Sequence, residues 1–148
     1  MTVQQLIGSR SDIYSIRDEM TVHDAARYLR ERQVRSAGVL DGGGKLVGVV
    51  SQSDISDKVA AENKCPAWMR VAEIMSTELV TVTPDRSLHD CLRLMEQNAI
   101  YHLLVVDAAG AYRGMLSVSD LLKVIASDEK ARADMLEAFV FERPSDVM

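Results

Sequence analysis

Apolar positions along the chain fall into two successive sets with one order of elements. In the first set, the short run Asp12-Ile-Tyr-Ser-Ile16 reads as a strand. Thr21-Val-His-Asp24 then places an N-cap hydroxyl three residues ahead of an acid. Val22, Ala25, Ala26 and Leu29 follow at the spacing that lines one face of a helix. Ser36–Leu40 and Leu46–Val50 read as two more strands, joined through the hairpin connection Asp41-Gly-Gly-Gly44, and a last helix starts after them. The second set repeats this order. It runs through the strand Leu79–Val82, the cap Ser87-Leu-His-Asp90 and the stripe Leu88, Cys91, Leu92 and Met95. The strands His102–Val106 and Tyr112–Leu116, joined by Asp107-Ala-Ala-Gly110, complete it. The predicted unit is β-α-β-β-α, written twice in an α/β chain.

Shifting the chain on itself by 66 residues lays Ile13–Val59 over Leu79–Ile125 without a gap. Identity concentrates at turns and at two heptads, GVVSQSD (Gly48–Asp54) and GMLSVSD (Gly114–Asp120), while core positions vary within their type. Two copies are too few for a solenoid, so the expectation is a pair packed about a pseudo-twofold axis. A short helix precedes each unit, since Val3-Gln-Gln-Leu-Ile7 resembles Val71-Ala-Glu-Ile-Met75. The expected divisions are a first repeat over 2–60, a connector over 61–70 broken by Pro66, a second repeat over 71–126 and an extension over 127–148. In the extension, Ser127–Arg143 reads as a further helix that Pro144 ends.

Composition narrows the class without naming a function. The chain has 148 residues, 47% hydrophobic and 26% charged, ordinary for a soluble globular protein with one proper core. A net charge of −5 supplies no field that attracts nucleic acid or an acidic membrane. No stretch reads as a membrane span or a secretory signal, and two cysteines make no disulfide framework, so a cytoplasmic setting is expected. Cys91 falls on an apolar stripe, and Trp68 is expected to seal an edge of the core from the connector. His23 and His89 sit inside helix caps, and no histidine or cysteine spacing matches a metal motif. No nucleophile elbow, phosphate-binding glycine loop or zinc-protease motif is present, and the chain is read as a non-enzyme.

The heptads carry the candidate chemistry. Ser51-Gln-Ser-Asp54 and Ser117-Val-Ser-Asp120 fit a capping box, worth about 1 kcal/mol each. The same arrangement suits a ligand. A helix start offers free N–H groups and a positive dipole end to phosphate. Serine hydroxyls add donors, and an acid one turn in accepts from ribose hydroxyls, as acids do in dinucleotide sites. Gly48 and Gly114 either relieve crowding in the strand or let a ligand approach the backbone.

The β-α-β-β-α unit with the ending G-h-h-[ST]-x-x-D resembles the CBS domain, named after cystathionine beta-synthase. Two in tandem over Thr2–Ile125 resemble a CBS pair, or Bateman module. Val34-Arg-Ser-Ala-Gly-Val-Leu-Asp41 is also similar to a strand of that family, with Gly38 and Leu104 where the family usually has proline. The resemblance implies an adenine-type nucleotide in the inter-repeat clefts: AMP, ADP or ATP ahead of NAD or S-adenosylmethionine. It implies ribose at Asp54 and Asp120 and phosphate near Ser51, Ser53, Ser117 and Ser119. Base pockets would be lined by Ser15, Ile16, Ser36 and Ala37 in one repeat and by Thr81, Val82, His102 and Leu103 in the other. Arg35 would reach phosphate through its guanidinium fork or stand as a solvated strand-edge residue, while Tyr101 at the matching position would stack on a base or simply pack. The two clefts are therefore expected to differ. A homodimer and a separate effector protein are the partners implied. A ligand-free interaction module, or a redox- or metal-linked protein using Cys65 or Cys91, remain the rival classes.

Overall fold

The computed structural model describes residues 1–8 and 13–127, with 133, 136 and 137 beyond them. Its elements are α1 (Val3–Ile7), β1 (Ser15–Arg17), α2 (Val22–Arg32), β2 (Ser36–Leu40), β3 (Leu46–Ser51) and α3 (Gln52–Ile55). After the connector come β4 (Thr81–Val82), α4 (Leu88–Gln97), β5 (His102–Val106), β6 (Tyr112–Ser117) and α5 (Val118–Ser127). The expected two β-α-β-β-α units are present. The additional helix expected over 127–143 lies almost wholly outside the described residues.

Each unit makes a three-stranded sheet with its first strand parallel and its third antiparallel to the middle one. The capping hydroxyls work as the pattern requires: Thr21 Oγ1 accepts from Asp24 N–H at 3.1 Å, and Ser87 Oγ from Asp90 N–H at 3.1 Å. In the hairpins, Asp41 Oδ1 accepts from Gly43 and Lys45, and Asp107 Oδ1 accepts from Ala109 and Ala111. α3 is brief because it widens into a turn over Ser56–Ala60, where Ala61 N–H reaches back to Ser56 O at 2.8 Å.

The leading helices are exchanged between the units. α1 docks on the second repeat: Val3 N–H donates to Arg86 O at 2.9 Å and Gln4 N–H to Pro84 O at 2.8 Å. Val3 and Ile7 lie in one core with Leu92, Leu103, Leu116 and Leu121. Reciprocally, the single turn Val71–Glu73 docks on the first repeat. Val71 N–H donates to Met20 O, Val22 N–H donates to Met69 O, and Val71 and Ile74 join the core of Ile16, Leu29, Val39 and Val50. The repeat boundaries read from the sequence are therefore not packing boundaries, because each unit fills its core with a helix from outside it.

Past Ile74 the chain runs along one edge of the first sheet and onto the second. Ser76 and Val49 exchange both backbone hydrogen bonds, at 2.8 and 3.0 Å, and Leu104 N–H donates to Val80 O at 3.1 Å. Gly48 makes this crossing possible, since a Cβ there would lie 2.6 Å from Met75 Sδ and 3.0 Å from Ser76 O. At Gly48 the crowding reading has a named cause, since Met75 and Ser76 of this segment fill the space beside it. A second correction concerns Trp68, which is 85% exposed. Its neighbour Met69 packs against the first core instead, because the turn Pro66–Trp68 points the indole outward.

The exchange predicts that Val3→Ala destabilises the protein by about 2 kcal/mol in urea denaturation, the cost of emptying a fully buried site. A change below about 0.5 kcal/mol, the range of ordinary surface substitutions, would show that α1 is dispensable.

Candidate functional site

Both heptads end in complete caps. Ser51 Oγ accepts from Asp54 N–H at 3.1 Å, while Ser51 N–H and Oγ–H donate to Asp54 Oδ2 at 2.9 and 3.1 Å. Ser117 and Asp120 repeat the arrangement at 3.2, 2.8 and 3.0 Å. The next residue of each helix ties it to the start of the middle strand. Gln52 N–H donates to Arg35 O at 2.9 Å and Val118 N–H to Tyr101 O at 3.0 Å. Arg35 and Tyr101 are thus held at equivalent places beside the two helix starts.

The repeats diverge one turn later. Lys58 Nζ lies 3.1 Å from Asp54 Oδ1 and donates to Ile74 O at 2.8 Å, tying the cap to the chain that crosses between the units. The matching residue in the second repeat is Val124, which is buried.

Between the sheets lies a cleft of about 990 Å³ that takes in both helix starts. Of the residues expected to bind, Arg35, Ser36, Ser51, Ser53 and Asp54 line it from the first repeat. Tyr101, His102, Ser117 and Ser119 line it from the second. Of the two expected base pockets, only Ser36 and His102 reach this space. Asp120 is not on its surface, being half-buried under Ser117. Ile16, Ala37, Val82 and Leu103 turn into the two cores, so their side chains face away from the cleft. Ser15 pairs with Gly38 and donates its N–H to the Tyr28 hydroxyl at 3.2 Å, and Thr81 is exposed.

Leu79, Val80, Ala99, Ile100, Leu104, Met115 and Val118 form an apolar wall at the second repeat, and Ser76 and Glu78 stand on the crossing segment. The sequence reading missed these residues. Strand alternation would have found some of them. Ser36 pairs with Ser51 and His102 with Ser117, so Leu104 shares the cleft-facing side with His102, and Leu103 does not.

The first repeat lacks a matching apolar wall. The Tyr112 ring lies over Gly38, where a Cβ would meet it at 2.7 Å, and Ser36 Oγ contacts Met115 Sδ at 3.2 Å. Burial pushes the Tyr112 phenol up to about 12, against the lowering effect of a hydrogen bond with the Gly38 backbone. It therefore stays protonated at physiological pH. His102 is exposed at its surface, yet the desolvation of its ring lowers its pKa, with Asp120 opposing. Cys91 is fully buried and its thiol is raised to about 11 by that burial, which makes it inert, whereas Cys65 is exposed.

The profile of the CBS domain family matches residues 3–61 and again 71–127. The chain belongs to the CBS-domain family. Two such domains in tandem make a CBS pair, a regulatory type of module. A solved CBS-domain protein from Burkholderia ambifaria, described as a signal-transduction protein, is 30% identical with a TM-score of 0.79. The match covers 86% of this chain and 96% of that one. The mitochondrial CBS domain-containing protein CBSX3 of Arabidopsis thaliana is 27% identical over 124 residues, which is 81% of this chain and 60% of that protein's length. The solved CBS pair of MJ0100, in complex with 5′-methylthioadenosine and S-adenosyl-L-methionine, shares the fold at 22% identity and a TM-score of 0.76. That match covers 86% of this chain and 97% of that one. Among the described residues, no helix is long and apolar enough to cross a membrane.

The lowered pKa of His102 has a thermodynamic consequence. The unfolded chain holds this proton more tightly, so falling pH favours unfolding below an ordinary histidine value of 6.5. His102→Gln removes that contribution. Its melting temperature, measured relative to the parent from neutral pH to about pH 5, is expected to improve as pH falls. A constant difference across that range would contradict the desolvated ring.

Proposed function

We propose that this CBS pair is a sensor that binds an adenosine-type nucleotide in the inter-repeat cleft and reports its occupancy to a separate protein. One observation carries the reading. A single cleft sets an apolar wall of Leu79, Val80, Ile100 and Leu104 beside paired serine hydroxyls and the Arg35 guanidinium. A base needs the first, and ribose with phosphate needs the second. The volume of about 990 Å³ suits a nucleotide-sized ligand, and the MJ0100 pair holds two adenosine compounds on the same fold.

The base goes to the second repeat, where the apolar wall is. Val80 and Ile100 flank it, and Ser117 and Ser119 lie toward the ribose. The 5′ substituent then points toward Arg35, Ser51 and Ser53 of the first repeat, with Asp54 beside them. In this pose the ligand touches both repeats and the segment between them. Occupancy therefore stabilises one arrangement of the pair in proportion to its differential affinity. A homodimer that reads this arrangement would pass it to the effector.

Thermal shift with AMP tests the reading. Ligand at about 100 times its Kd stabilises the native state by ~2.7 kcal/mol, so a rise in melting temperature is expected at millimolar AMP or below. Ile100→Glu, which puts charge in the apolar wall, is expected to abolish the rise. If neither AMP, ADP, ATP, NAD nor S-adenosylmethionine shifts the transition at millimolar concentration, the cleft serves contact with a partner rather than a nucleotide.

A further inference from the structure

We infer that Glu78 sorts adenosine-type ligands by charge, so that the cleft favours nucleosides and monophosphates over triphosphates. The inference rests on the adenosine reading above and adds the ligand class to it. Among the described residues, the charged side chains lining the cleft are Arg35, Asp54 and Glu78. Asp54 is balanced by Lys58 at 3.1 Å. Arg35 and Glu78 make no ion pair within the described residues. A ligand therefore meets one unspent cation and one unspent anion.

Among the described lining residues, the second repeat adds no cation to the cleft. Tyr101 stands where the first has Arg35, and Val124 where it has Lys58. Sites that grip triphosphates gather several cations and N–H donors around them, and one guanidinium can clamp one phosphate by its fork. Each phosphate beyond the first adds negative charge to a cleft that also holds the Glu78 carboxylate.

The backbone position of Glu78 is set by the fold. It lies two residues after Ser76, which is bonded to Val49 of β3, and two before Val80, which is bonded to Leu104 of β5. Its backbone is pinned on both sides at the crossing from one sheet to the other, between the apolar wall and the Ser51–Asp54 helix start. The backbone at Glu78 is thus held at the cleft wall, within reach of its own exposed side chain.

Isothermal titration at near-neutral pH, with divalent cations chelated, reads this directly. The probes are adenosine, 5′-methylthioadenosine, AMP, ADP and ATP. The parent is expected to bind AMP on the order of tenfold more tightly than ATP, the effect of one like charge at several ångströms in a partly solvated cleft. Glu78→Gln is expected to raise ATP affinity by roughly that factor while leaving adenosine unchanged. Arg35→Gln, the opposite charge change, is expected to weaken AMP more than adenosine. Both side chains are exposed, so neither variant threatens the fold. ATP binding as tightly as AMP in the parent, or a Glu78→Gln variant with an unchanged AMP-to-ATP ratio, would overturn the role of Glu78 while leaving the adenosine reading intact. Failure of all five probes to bind would overturn both.

Discussion

The structure depends on the exchange of leading helices between the repeats. α1 supplies Val3 and Ile7 to the second core, and the turn at Val71 supplies Val71 and Ile74 to the first. Each of these side chains is within a few per cent of complete burial. Each brings about 1.5–3 kcal/mol of apolar transfer energy into a unit that its own sequence neighbours do not form. Neither unit can complete its core alone, and the two sheets are held facing each other with a gap between them. That gap is the cleft. The crossing segment from Ile74 to Val80 closes one side of it, because Gly48 leaves room for Ser76 to pair with β3.

The heptads are therefore both structural and exposed to the cleft. Their serines and aspartates form full capping boxes, an adequate reason for those residue types without any ligand. The packing then presents Ser51, Ser53, Ser117 and Ser119 to a common space. The pseudo-symmetry stops at the side chains. Arg35 and Lys58 put the positive charge in the first repeat, while Leu104, Ile100 and Leu79 put the apolar surface in the second. Tyr112, lying over Gly38, fills space on the opposite side. A ligand with one apolar and one polar end fits such a cleft in one direction.

The repeat, the order of elements, the hairpin turns and the helix starts were all legible, because each has a local signal: a cap three residues before an acid, an i, i+3, i+4, i+7 stripe, an aspartate–glycine turn. The exchange was not. The apolar face of Val3–Ile7 shows that the helix is buried, but not in which core. The cleft lining was half legible for a similar reason. Resemblance located the right strands, but an offset of one residue sends Leu103 to the core and Leu104 to the cleft. Ser76 and Glu78 lie on a segment with no motif, and only its backbone bonds to β3 and β5 reveal them as wall. Trp68 was misplaced because size and apolarity favour burial, whereas the short turn after Pro66 presents Met69 to the core instead.

One cleft, framed by both repeats and the segment between them, is the proposed ligand site. Hydrogen–deuterium exchange with and without AMP probes all three walls at once. Ligand bound there slows exchange together at residues 76–80, 100–104 and 117–120, with a smaller effect at 51–54, and none at the Trp68 connector. Unchanged exchange in these segments at saturating AMP, or protection confined to the outer helices, would contradict it.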